Sequence, residues 1–210
     1  MPPVSNPPVD QDPHWVAPVV PYDSPAKRRE TTAWVGMVVF LASWGMMFGA
    51  LFFMYGGIRA RATDWPPQGL PAVPLIWPTV NTLVIALSSL ALQMGLSAIR
   101  KGQQLRLKWG LLTSLFLGIV FIALQWKVWI DIYEMGLMPS SGFYGSVFYG
   151  MTWIHAAHVV IGLLALGWLS VFALRNEYTA PRHLSIRLWT MYWHFVGLVW
   201  GIVFVTVYLI

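Results

Sequence analysis

The sequence predicts an all-α membrane protein: a bundle of five transmembrane helices, N-in/C-out. Three observations predict it. Hydrophobic residues make up 57% of the chain and charged residues only 10%, too little polar surface to cover a water-soluble core of this size. The apolar residues gather into five runs of about 20 residues or more, the length that crosses a hydrocarbon core of roughly 30 Å. The basic residues lie at the ends of those runs, mostly on one side, where they orient a membrane protein.

Residues 1–30 carry eight prolines and no run long enough to span; they read as a Pro-rich extended cytoplasmic tail. The basic-then-apolar pattern of a secretory signal is absent from them, so the amino terminus is expected to stay inside. Residues 31–210 form the five-helix domain, with spans at 32–55, 75–99, 109–133, 145–174 and 188–210. All five are helices, because a backbone in lipid must satisfy its own hydrogen bonds. The connections are short except for 56–74, whose Pro and Gly content excludes a further helix. Lys27, Arg28 and Arg29 of the tail, Arg100, Lys101, Arg106 and Lys108 after the second span, and Arg175, Arg182 and Arg187 after the fourth share one side. The opposite side has Arg59, Arg61 and Lys127, with Asp64, Asp131 and Glu134.

Composition also excludes function classes. The chain has no cysteine, which removes disulfides, thioether-attached haem, iron-sulfur clusters and thiolate copper centres. Its net charge of +5 follows the membrane boundaries and is not a nucleic-acid footprint. The 13 Trp and 8 Tyr fit the aromatic belts of a bilayer.

Each polar group in a span asks for a partner. These are Asn81 and Gln93 on the second span, Gln125, Lys127 and Asp131 on the third, Thr152, His155 and His158 on the fourth, and Tyr192 and His194 on the fifth. Lys127 and Asp131, four apart, can neutralise each other. Asn81 and Gln125 can link helices by amide hydrogen bonds. His155 and His158, in YGMTWIHAAHVVIG, project from one side of a helix. Either can be paired on paper with His194 as a haem axial ligand. At 1.5 Å per residue His155 lies roughly 15 Å from the outer face and His194 roughly 10 Å from the inner one, so the levels match poorly. Hydrogen bonds to neighbouring helices or lipid headgroups are the preferred reading of both histidines. No carboxylate lies near the middle of a span, which argues against a proton relay or a small transporter.

Four ordered segments then carry a resemblance. WPPQGLP at 65–71 leads into PTVNTLVIALSSLALQ at 78–93; GFYGSVFYGMTWIHAAHVVIG at 142–162 and YWHFVGLVWGIVFVTVY at 192–208 follow. Together they resemble subunit III of the haem-copper cytochrome c oxidases in its bacterial five-helix form, over about residues 30–210. Glutamates of that family are replaced here by Trp44 and Val128, and its aspartate by Gly197.

The resemblance implies a non-catalytic accessory subunit of a respiratory terminal oxidase in the bacterial cytoplasmic membrane. It implies packing on catalytic subunit I, with subunit II in the complex, no cofactor in this chain, haem and copper in the partner subunits, and bound phospholipid. It assigns Trp44, Asn81, Gln125, His155, His158, Trp193 and His194 to the bundle and its lipid-facing cleft, with Trp44 filling the space of a glutamate and turned towards the fourth helix. The same form occurs as an accessory subunit of nitric oxide reductases. From a different class, the alternative is a b-type haem electron carrier using His155 or His158 with His194.

Overall fold

The computed structural model describes residues 24–65 and 74–209. The tail up to residue 23, residues 66–73 of the long loop after the first helix, and Ile210 lie outside them. The helices are α1 (Pro25–Arg59), α2 (Ile76–Arg100), α3 (Gln104–Glu134), α4 (Gly142–Leu174) and α5 (Leu184–Val203), the last running on as a π-helical segment, Phe204–Leu209. All five are long and apolar enough to cross a membrane. Among the described residues the β pairing is limited to one isolated bridge, Thr179 with Arg182.

α1, α3, α4 and α5 begin ahead of the expected spans, most of all α1, which takes in residues 25–30 of the segment read as tail. The reason is local. Ser24 caps the helix by accepting from the Lys27 amide at 3.4 Å, and Pro25 occupies the first helical position, where its fixed φ suits a helix and its missing N–H costs nothing. At 1.5 Å per residue the 35-residue α1 is roughly 50 Å long and must project beyond the hydrocarbon.

α2, α3, α4 and α5 form a closed ring in which each packs on the next and α5 returns to α2. α1 lies outside it against α5, with Phe48 and Tyr55 as its buried side chains among those described. The tightest pair is α2 with α3, joined by a turn in which Gly102 takes φ +73°. Their backbones meet at two glycines: a Cβ on Gly110 would lie 2.8 Å from both the Ala91 carbonyl oxygen and the Gly95 Cα. Lipid supplies no hydrophobic drive between helices, so such close approach is how they gain packing energy.

The turn into α4 is pinned by Tyr149, whose hydroxyl donates to the Leu137 carbonyl at 2.9 Å. The turn into α5 is pinned by Gln104, whose amide donates to the Tyr178 carbonyl at 3.3 Å. Near the far end of α1, the Arg59 guanidinium lies 5.3 Å from the centre of the Trp65 ring. That ring meets Tyr55 edge-on at 5.5 Å and Tyr144 at 5.0 Å, which fastens α1 to the start of α4.

Gly110→Leu should therefore lower stability to denaturation in mixed micelles by about 2 kcal/mol or more, since backbone and not a flexible side chain must yield. Gly36→Leu, on the open side of α1 with nothing within 4 Å of its Cβ position, should stay within about 0.5 kcal/mol of the parent. Equal effects of the two substitutions would refute the glycine contact as the reason for the pairing.

Candidate functional site

The polar groups buried in the ring are Asn81, Ser88, Ser114, Gln125, Thr152, His155, His158, Ser170 and Thr190. Following each to its partner defines the site. Trp193 of α5 stands at the centre, fully buried. Its indole fills a slot that only glycine leaves open: a Cβ at Gly118 of α3 would come within 2.9 Å of the ring, and one at Gly162 of α4 within 2.7 Å. Its Nε1–H donates to the Ser88 hydroxyl of α2 at 3.1 Å. Ser88 donates onward to the Ser114 carbonyl of α3 at 2.9 Å and lies 3.0 Å from the Ser114 hydroxyl. One side chain thus ties α5 to three other helices.

Three more joints surround this chain. The Asn81 amide donates to the Gln125 side-chain oxygen at 3.2 Å, linking α2 to α3. Trp200 donates through Nε1 to the Thr82 hydroxyl at 3.0 Å, linking α5 to α2. Trp129 donates to the Thr152 hydroxyl at 3.1 Å, linking α3 to α4, while that hydroxyl donates to its own helix at the Phe148 carbonyl, 2.8 Å away. His194, half-exposed on α5, pairs with the Gln93 amide oxygen of α2 at 3.2 Å. Ser170 and Thr190 return their hydroxyls to the carbonyl four residues back.

The two histidines of α4 behave otherwise than expected. His158 Nδ1 meets the carbonyl of Ile154 on its own helix at 2.7 Å, and its Nε2 has no partner. Neither ring nitrogen of His155 has a partner among the described residues. Among the described residues neither histidine makes a side-chain hydrogen bond to a neighbouring helix. α4 and α5 are joined at this level through backbone, where the Tyr192 hydroxyl donates to the His158 carbonyl at 3.0 Å. Aromatic rings fill the surroundings. Trp44 of α1 meets His158 edge-on, with ring centres 4.2 Å apart. Phe48 follows at 5.4 Å. His155 lies among Phe48, Phe121 and Trp200 at 6.5, 6.1 and 5.5 Å. Trp44 faces α4, and the histidine it covers is His158.

Lys127 and Asp131 form the anticipated pair, with Nζ 2.8 Å from Oδ2 and side chains 47% and 24% exposed. Lys127 also sits 5.3 Å from the Trp77 ring centre. A pair so open to solvent or headgroups contributes under about 1 kcal/mol. Among the described residues no group of three or more His, Asp or Glu side chains gathers as a metal site. What the arrangement does chemically is hold helices in register.

Comparison with known proteins follows the same span. The family described as Cytochrome c oxidase subunit III matches residues 27–210. The cytochrome c oxidase subunit 3 of Synechocystis is 35% identical over 179 residues, covering 83% of this chain and 74% of that protein. The subunit 3 of Thermostichus vulcanus is 35% identical over 181 residues, covering 84% and 86%. The probable subunit 3 of Nocardia farcinica is 35% identical over 189 residues, covering 87% and 90%.

Two predictions test the joints. In a double-mutant cycle of Trp193→Phe with Ser88→Ala, a coupling of about 0.5 to 1.5 kcal/mol in micelle denaturation is expected, the range of interhelical hydrogen bonds in lipid; additive effects would remove the indole–hydroxyl bond as a contributor. His155→Phe should leave stability within about 1 kcal/mol of the parent or raise it, because an apolar ring replaces one that buries two unpartnered nitrogens. A loss above about 2 kcal/mol would show that the imidazole has a polar role.

Proposed function

The chain belongs to the cytochrome c oxidase subunit III family, and from that membership we propose that it serves as a non-catalytic accessory subunit of a respiratory haem-copper terminal oxidase. The observation that carries the reading is the family match through all five helices, residues 27–210. In this reading the chain packs on catalytic subunit I, with subunit II in the same complex, and haem and copper belong to those partners. It lies in the bacterial cytoplasmic membrane, N-in/C-out, with the Pro-rich tail and the two basic turns inside, an orientation supported by ten basic residues on one side.

The buried side chains then have structural roles. Trp193 locks the ring, Asn81 with Gln125 and His194 with Gln93 join helices in pairs, and Trp44 on His158 with Phe48 on His155 packs α1 against α4. Phospholipid fills grooves on the lipid-facing surface and adds to the durability of the assembly. Support for a structural role comes from Ser88, Ser114 and Trp193, whose polar groups meet one another in joints between helices, and from the amide bond by which Asn81 links α2 to Gln125 of α3.

Extraction in mild detergent should bring down a large haem-bearing subunit with this chain, the haem bands of the complex should follow that partner, and the separated chain should lack a Soret band. A Soret band in the separated chain, abolished by His194→Ala, would establish a b-type electron carrier instead. Co-purification with a catalytic subunit that reduces nitric oxide but not oxygen would move the chain to a reductase.

A further inference from the structure

The α2–α3 hairpin leaves a groove of about 650 Å³ on its outer surface at the basic end of the bundle. Ala91, Met94 and Ala98 of α2 and Trp109 of α3 form its walls, and Lys101 and Arg106 stand at its mouth. The groove exists because the two backbones meet at Gly95 and Gly110. With no side chains between the helices, their flanks diverge around a shallow furrow. Met94 and Trp109 are 64% and 65% exposed along it.

The charge at the mouth has no acidic counterpart on α2, on α3 before Asp131 or in the turn between them, and Glu177, beside the Tyr178 to which Gln104 is bonded, does not line the groove. Arg100, Lys101, Arg106 and Lys108 fall within nine residues, and no Asp or Glu occurs anywhere between Asp64 and Asp131. Among the described residues neither Lys101 nor Arg106 has an ion-pair or hydrogen-bond partner through its side chain. No side chain caps the amino end of α3 either, where Gln103, another lining residue, precedes the helix. A free amino end adds partial positive charge in the same place.

An apolar furrow running into the membrane and closed at the boundary by two unpaired cations matches one kind of ligand, an anionic amphiphile. We propose that this groove is a site for an anionic phospholipid, with the phosphate at Lys101 and Arg106 and an acyl chain along Ala91, Met94 and Trp109. The proposal deepens the phospholipid part of the proposed function and rests on it, but not on the docking to subunit I. A Trp at the headgroup level and cations that reach past it are the boundary groups such a lipid meets.

The test reads lipid retained by the full chain after release from vesicles of phosphatidylcholine doped with phosphatidylglycerol, by native mass spectrometry. A cation near an anionic headgroup adds about 1 kcal/mol, or about fivefold in binding, so two should favour phosphatidylglycerol by about 25-fold. Lys101→Gln with Arg106→Gln should bring the two lipids near parity. Arg100→Gln with Lys108→Gln, cations of the same turn that do not line the groove, should leave the preference in place. Met94→Trp should reduce retention of either lipid several-fold by filling the furrow, and free glycerol phosphate should compete poorly because it lacks chains.

A preference that survives loss of Lys101 and Arg106, one lost equally with Arg100 and Lys108, or displacement of lipid by equimolar glycerol phosphate would each overturn the site. So would phosphatidylglycerol shut out of the groove when the chain is isolated with its catalytic partner, which would make the furrow a protein interface. In these outcomes the chain still holds lipid elsewhere, and only this site fails. A chain that retains no phospholipid of either headgroup would overturn the lipid part of the proposed function as well.

Discussion

The indole of Trp193 is the constraint on which the ring of helices depends. A helix in hydrocarbon gains nothing by hiding apolar side chains from lipid, so association must come from close packing and from polar groups that find one another. Trp193 supplies both. Its ring requires glycine on α3 and on α4, and its N–H requires the hydroxyl of α2 that in turn holds the α3 backbone. A side chain at either glycine would collide with the indole, and loss of the Ser88 hydroxyl would orphan its N–H donor in a medium that offers no substitute. The other interhelical bonds, Asn81 to Gln125 and Trp200 to Thr82, act on pairs of helices that this one contact has already brought together.

α1 is attached by a different principle. It shares no close glycine crossing with the ring; its Gly45 meets only the far edge of the Phe195 ring, at 3.7 Å from a Cβ position. Its hold comes from aromatic rings: Phe40 stacked on Tyr192 of α5, Trp44 and Phe48 edge-on to the α4 histidines, and Tyr55 through Trp65 on Tyr144. Edge-on ring contacts contribute about 0.5 to 1.5 kcal/mol each beyond their area and tolerate small shifts. α1 is accordingly joined to the bundle by ring contacts, whereas the four helices of the ring also meet through backbone approach and buried hydrogen bonds.

Much of this was legible in the residues before any coordinates. The five helices followed from run length, and the polar positions worth following, Asn81, Gln125, His155, His158 and His194, followed from the cost of burying them. What escaped was pairing. Ser88 and Ser114 look like ordinary small residues of apolar helices, and nothing in a linear reading says that their hydroxyls face each other beneath an indole. The glycine slot for Trp193 joins positions 118 and 162 with 193, three points on different helices whose azimuths the apolar pattern does not define. The span at 32–55 and the helix Pro25–Arg59 differ because hydropathy marks where lipid begins, whereas Ser24 and Pro25 mark where the helix begins. For His155, polarity suggested a hydrogen bond, but the aromatic residues around it come from α1, α3 and α5, and only the packed bundle shows that they crowd out polar partners.

Trp44, Val128 and Gly197 show three ways in which the bundle does without charge. The edge of the Trp44 ring rests on His158, so the volume is filled and the imidazole has an apolar neighbour. Val128 is 2% exposed in the α3 core, where a branched apolar side chain needs no partner. Gly197 offers no side chain: a Cβ there would come within 3.3 Å of the Ser89 hydroxyl, and a hollow of about 330 Å³ bounded by Thr82, Ser89, His194 and Trp200 lies beside it. The first two positions are closed by packing. The third is not, since it leaves a notch between α2 and α5 whose rim holds a hydroxyl and an imidazole. Gly197 therefore has a consequence that Trp44 and Val128 do not share: it shapes the surface of the bundle as well as its interior.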